Sequence, residues 1–124
     1  MQMKTEVFTA TVVGIGEDAQ MLMDDGMMIL FNETAPKDLY DISFVHNAEG
    51  LNGDLEAGDE LVIDGEVFSL TFVGGKANET LRDLGHATFQ FNGETNSDLP
   101  GTVCIEAKPL PAIQVGSTIV FRKK

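Results

Sequence analysis

The sequence predicts an all-β fold, a mostly antiparallel barrel or sandwich with one short helix near residues 78–84. Three observations carry that prediction. Apolar runs are short and turn signals recur between them. In "LVIDGEVFSLTFVG", Asp64-Gly65 separates two runs rich in β-branched and aromatic residues, the strongest short-range hairpin signal. Asn92-Gly93 closes "HATFQF" in the same style. With 124 residues, 43% of them hydrophobic, the chain can bury one real core, so residues 1–124 are expected to form a single domain.

The elements follow in order. A first strand is expected over 6–13. Between residues 20 and 31, Asp25-Gly26 divides two Met-rich runs, which predicts a second hairpin. Pro36 suits the first position of a short helical turn. In "DISFVHNAEG" an apolar run ends on His46, and strand alternation puts Ile42, Phe44 and His46 on one face. The one clear helix has Asn78 as its cap, Glu79 at its positive end, Leu81 and Leu84 facing inward, and Gly85 just past its end. Further strands are expected over 102–106 and 117–122. "AGDELVI" and "VGSTIVF" echo each other as a glycine turn entering a strand, and turn chemistry accounts for the echo.

The formal net charge is −12. That excludes nucleic acid and anionic membrane as natural partners, since phosphate contacts need clustered Lys and Arg. The one basic run, Arg122-Lys123-Lys124, is expected to be a solvated tail. A basic protein partner suits the charge better. Cys104 is the single cysteine, so no internal disulfide forms and a reducing cytoplasm is the expected compartment. The N-terminal Met1-Gln2-Met3-Lys4-Thr5-Glu6 lacks a signal-peptide core.

"VVGIGEDA" fits the dinucleotide pattern G-x-G-x-x-A at Gly14, Gly16 and Ala19. Glu17 and Asp18 would place negative charge against a pyrophosphate, and a hairpin is expected next, so a turn leaving the first strand is the better reading. His46, His86 and Cys104 show no ligand-pair spacing, so neither a metal nor another cofactor is expected. Pattern alone gives both histidines structural roles.

Four segments change that balance. "APKDLYDISFVHNAEGLNG", "LEAGDELVIDGEVFSLTFVG", "ANETLRDLGHATFQFNG" and "LPGTV" stand in this order. So arranged, they resemble the glucitol/sorbitol-specific IIA component of the bacterial phosphoenolpyruvate-dependent sugar phosphotransferase system. The resemblance runs from Phe31 onward. It implies a cytoplasmic phosphocarrier that takes a phosphoryl group from HPr and passes it to the IIB component of the sorbitol transporter, whose membrane part is IIC. It also implies that the acceptor is the histidine of "SFVHN", His46, as a phosphohistidine.

Such chemistry suits a neutral imidazole near neutral pH. It needs in-line positioning and donors for the phosphoryl oxygens, and the resemblance implies that it proceeds without a bound metal. At a strand end His46 is expected to be partly desolvated yet reachable, with Ile42, Phe44 and Leu51 around it and acidic residues further out. Its second ring nitrogen is expected to rest on a carbonyl or a side chain. His86, Thr88, the loop N–H groups after His46 and, more weakly, Asn47 are the expected supporting groups. The alternative is a non-catalytic β-barrel binding or regulatory module of the same fold.

Overall fold

The computed structural model describes residues 5–124. Residues 1–4 of the N-terminal segment discussed above lie outside them. The chain forms eight strands and three short helices among the described residues. In order they are β1 (Glu6–Ile15), α1 (Ala19–Asp24), β2 (Met27–Asn32), α2 (Lys37–Tyr40), β3 (Phe44–His46), β4 (Glu60–Ile63), β5 (Glu66–Val73), α3 (Ala77–Leu84), β6 (Ala87–Gln90), β7 (Thr102–Ile105) and β8 (Thr118–Arg122). The strands close a barrel in the order β1-β3-β2-β6-β7-β5-β4-β8. Closure leaves no unpaired edge. All pairings are antiparallel except β2–β3 and β6–β7. The barrel expectation therefore holds, and each parallel pair is a short crossover.

The core is what alternation dictates. Phe8, Ala10, Val12, Met28, Leu30, Phe44, Leu61, Ile63, Phe68, Leu70, Phe89, Ile119 and Phe121 all point into one buried cluster. At the Asp64-Gly65 turn both residues have positive φ, 49° and 89°, as a two-residue hairpin with the right twist requires.

Four expectations are corrected. Residues 20–31 do not form a hairpin. Their first run is α1, because Ala19 and Met23, four apart, bury one helical face that the strand alternation did not reveal. Pro36 precedes α2 at its N-cap rather than inside it. In α3, Leu81 is buried but Leu84 is 47% exposed. Lys76, not Asn78, precedes that helix. The Asn78 amide instead bonds both the N–H and the carbonyl of Leu55, pinning the segment before β4. Gly85 does end α3 in the left-handed region, at φ 63°.

The "AGDELVI"/"VGSTIVF" echo is more than shared turn chemistry. It belongs to a repeat of the whole half-chain. Strands β1 to β4 and β5 to β8 occupy matching places, and the register maps onto itself when the halves are exchanged. In the first half β1 meets β3 with Val12 against His46, Gly14 against Val45 and Ile15 against Phe44, with a bulge after Val12. In the second, β5 meets β7 with Leu70 against Ile105, Phe72 against Cys104 and Val73 against Val103, with the bulge at the same place.

Loops repeat too. Gly16 N–H donates to the Ser43 carbonyl, and Gly74 N–H to that of Thr102. A side chain at Gly16 would strike the Tyr40 and Asp41 backbone, and one at Gly74 the Pro100 backbone. With the Tyr40 side chain against Gly14, those close approaches explain the glycines of "VVGIGEDA" without a dinucleotide. Asp59 and Ser117, both buried, accept from the N–H groups of Glu56 and Gln114 in the same turn.

The basic end is not a solvated tail. Arg122 pairs with Glu60 at 2.8 Å, and Lys123 with the buried Asp59 at 2.6 Å. Lys123 also donates to the Asp54 carbonyl. No helix among the described residues is long and apolar enough to cross a membrane.

Candidate functional site

The three residues of β3 lie between β1 and β2, and all are buried. Phe44 and His46 face the barrel interior, where the His46 ring meets the edge of Phe8 with centroids 5.3 Å apart. Val45 faces outward and is covered as well. His46 is 0% exposed. That corrects the expectation of a reachable ring at a strand end. The chain does not leave the barrel after β3. Residues 47–53 continue as an irregular strap alongside β1, from Thr11 to Val7.

Several bonds tie the strap down. Asn47 trades two with Thr11, its side-chain oxygen accepting at 2.9 Å and its N–H donating at 3.3 Å. The Asn32 amide donates to the Ala48 carbonyl at 2.9 Å, and Asn52 N–H donates to Val7. Leu51 is buried beneath the strap.

Both nitrogens of His46 are occupied. Nε2 lies 2.7 Å from the Gly85 carbonyl oxygen, and Ala48 N–H donates to Nδ1 at 3.1 Å. A carbonyl can only accept and an N–H can only donate. The ring is therefore the neutral tautomer with its proton on Nε2 and its lone pair on Nδ1. Burial is the main influence on this group and pushes its pKa below the ordinary value. The Gly85 bond and the Glu33 charge partly oppose that shift. The Gly85 carbonyl belongs to the negative end of α3, which favours positive charge growing on the ring.

An open cleft of about 250 Å³ lies beside this arrangement, lined by Asn32, Thr34, Ala48, Glu49, Arg82 and Gly85, among others. A methyl group at Gly85 would sit 2.8 Å from Cε1 of His46 and 3.0 Å from Nε2, so only a glycine's bulk separates ring from cleft. A second cleft, lined partly by Phe8, Asn47 and Asn52, flanks the strap and shares Glu49 and Gly50 with the first. The acidic residues are thus closer than expected, since Glu49 and Asp83 line the first cleft.

The other expected residues sit elsewhere. Asn47 spends its side chain on Thr11 and fastens the strap. The half-buried His86 lays its ring over Phe31, centroids 4.6 Å apart, and places Nδ1 3.0 Å from the Leu30 carbonyl. Thr88, opposite Ile29 and Thr102, alternates with the inward Ala87 and Phe89 and so faces away from His46. The structure brings none of these three side chains to the His46 ring. Sequence reasoning missed Asn32, Gly85 as ring partner, and Arg82. Arg82 and Gly85 lie within "LRDLGH", so the motif was visible but the contact across the barrel was not. No group of three His, Cys, Asp or Glu able to hold a metal occurs among the described residues.

Comparison with known proteins bears on this arrangement. A family model described as the PTS system glucitol/sorbitol-specific IIA component matches residues 7–120. The glucitol/sorbitol-specific EIIA component of Shigella flexneri is 36% identical over 118 residues, 94% of this chain and 95% of that protein. The corresponding protein of Escherichia coli (strain K12) shows the same identity and coverage. A crystal structure of a PTS system IIA component from Enterococcus faecalis V583 is similar with a TM-score of 0.79 and 31% identity. That likeness covers 90% of this chain and 96% of that one.

Proposed function

Since this chain belongs to the family of PTS glucitol/sorbitol-specific IIA components, we propose that it is a cytoplasmic phosphocarrier of sorbitol uptake, acting as one domain, with His46 as acceptor. It takes the phosphoryl group from phospho-HPr and hands it to the IIB component of the transporter. The single observation that carries this reading is the His46 ring. Its Nε2 proton is fixed on Gly85, so the one lone pair able to attack phosphorus is on Nδ1.

The step balances without a metal or an external base. The Nδ1 lone pair forms the new N–P bond as the donor's P–N bond breaks. The donor, a phosphohistidine protonated on its other nitrogen, leaves as neutral imidazole with the bonding pair. His46 becomes a phosphoimidazolium that keeps its Nε2 proton. The positive charge then faces the Gly85 carbonyl at the end of α3, a preorganised partner for it. Before attack, Ala48 N–H must leave Nδ1. The strap that carries it has no regular structure and holds Gly50 at φ 141° and Gly53, so a local opening uncovers the nitrogen. Asn47, His86 and Thr88 serve the frame around the ring in this reading. The −12 charge favours encounter with a basic HPr surface.

Incubation with phosphoenolpyruvate, enzyme I and HPr should give an acid-labile, base-stable phosphoprotein, and His46→Gln should abolish the label. A His46→Gln chain labelled like wild type would remove His46 from the reaction. The second reading, a non-catalytic module, draws on the same enclosed ring, because a buried histidine with both nitrogens bonded is also how a structural histidine looks. Folded protein that takes no label would support it.

A further inference from the structure

The His46 mechanism leaves the phosphoryl oxygens without a cation. We propose that Arg82 holds the transferring phosphoryl group in the cleft beside Gly85. The inference rests on His46 being the acceptor.

The first argument is electrostatic. The cleft lies at the negative end of α3 and is lined by Glu49 and Asp83. A phosphoryl group bringing about two negative charges is repelled there unless a cation meets it. Arg82 is the only Lys or Arg among the described residues lining the cleft. Its guanidinium is half-exposed at the rim and paired with Asp54 at 2.5 Å. An exposed pair of this kind is held weakly, so exchanging one carboxylate for a phosphoryl group costs little. The planar guanidinium fork suits phosphoryl oxygens.

The second argument comes from the repeat, which supplies an internal control. Matching positions in the two halves carry the same framework. Gly85 answers to Gly26 after the helix, and Ala48 to Ala107 after the strand. Where His46 stands, the other half has the buried Ile105, and where Asn32 stands it has Phe91. With the helices aligned on their buried pairs, Ala19 and Met23 against Ala77 and Leu81, α3 carries one extra residue before its glycine and Asp24 stands where Arg82 does. The fold thus needs neither histidine, amide nor arginine at these places.

The other half has its own cleft there, about 460 Å³, lined by Asp24, Lys108, Pro109 and Leu110 among others. Its lysine lies over the Phe68 ring and donates to the Val67 carbonyl. His46, Asn32 and Arg82 are therefore a set placed together on one half. Asn32 holds the strap through Ala48, which leaves Arg82 as the member able to reach a bound anion.

The test measures the rate of acceptance from radiolabelled phospho-HPr by rapid quench, with thermal melts as a fold check. Arg82→Gln should slow acceptance about 100-fold, the loss expected for one donor to a transferring group, while reaching the same final labelling. Arg82→Lys should restore part of the rate. Asp54→Asn breaks the same ion pair but leaves the guanidinium, and should accept at the wild-type rate or faster.

Three outcomes overturn the proposal. One is an unchanged rate in Arg82→Gln. Another is Asp54→Asn slowing it as much as Arg82→Gln, which would make the ion pair, not the free guanidinium, the working element. The last is unfolding of both Arg82→Gln and the stem-preserving Arg82→Met, which would make Arg82 structural. Label on His46→Gln would instead sink the underlying reading of the acceptor, a separate result.

Discussion

At the scale of single residues, the decisive fact is that His46 is enclosed as a neutral ring. Burial lowers its pKa in the folded chain, while the unfolded chain keeps the ordinary value near 6.5. Below that pH the unfolded chain binds a proton that the folded chain refuses. The unfolded state is then favoured, so stability should fall as pH drops from about 6.5 towards the lowered folded value. One such proton accounts for at most about 1.4 kcal/mol per pH unit. Above about pH 6.5 both states are neutral and the effect vanishes. His46→Gln removes this one contribution. Urea unfolding at pH 7.5 and at pH 5.5 should therefore show a larger acid loss for wild type than for His46→Gln. Equal losses would mean that the ring takes up its proton in the folded state as readily as in the unfolded one.

At the scale of elements, the two helix ends offer a comparison within one molecule. Gly26 after α1 and Gly85 after α3 both have positive φ, 88° and 63°. An alanine at either should cost about 1 kcal/mol in backbone strain. Around Gly26 a methyl group meets nothing within 4 Å, whereas at Gly85 it meets His46 and the Cβ of Asn32 at 3.0 Å. Gly85→Ala should therefore destabilise more than Gly26→Ala and alone slow phosphoryl acceptance. Equal effects in denaturant melts and labelling would show that the ring yields to the methyl group.

The sequence already marked Gly85 as a helix terminator, the Asp64-Gly65 hairpin, and strands close to β1, β5, β7 and β8. Helix α1 was hidden because a six-residue helix with two buried positions looks like one arm of a Met-rich hairpin. The burial of His46 was hidden for a different reason. Strand alternation tells which face a side chain takes, but not that the residues after it stay against β1 and close over the ring. Asn32, Gly85 and Arg82 reach the site through β2 and α3, and their approach to Ala48, His46 and the cleft depends on barrel closure.

At the scale of the whole molecule, the repeat makes the fold a mutual construction of two halves. Half of the eight strand pairings, β1–β8, β2–β6, β4–β5 and β4–β8, run between the halves. Within the first half only β1–β3 and β2–β3 remain, and within the second only β5–β7 and β6–β7. Neither half can close a core, so fragments 1–64 and 65–124, cut at the hairpin turn, should each be unfolded alone. Mixed, they should regain β-sheet circular dichroism and the His46 label. Each half also discriminates against a second copy of itself. Ala10 in β1 matches Phe68 in β5, Met28 matches Ala87, and Phe44 matches Val103, so the halves bring different side-chain volumes to matching places in the core. Two first halves would put Ala10 in the place of Phe68, leaving a void, and Met28 and Phe44 in the places of Ala87 and Val103, adding excess volume. Unfilled volume at such a position costs about 2–5 kcal/mol when a large core residue is lost. Size-exclusion of fragment 1–64 alone should accordingly show no compact dimer. A folded 1–64 dimer that accepts phosphoryl groups would show instead that the halves have not diverged in packing, and that the second serves only to complete the sheet.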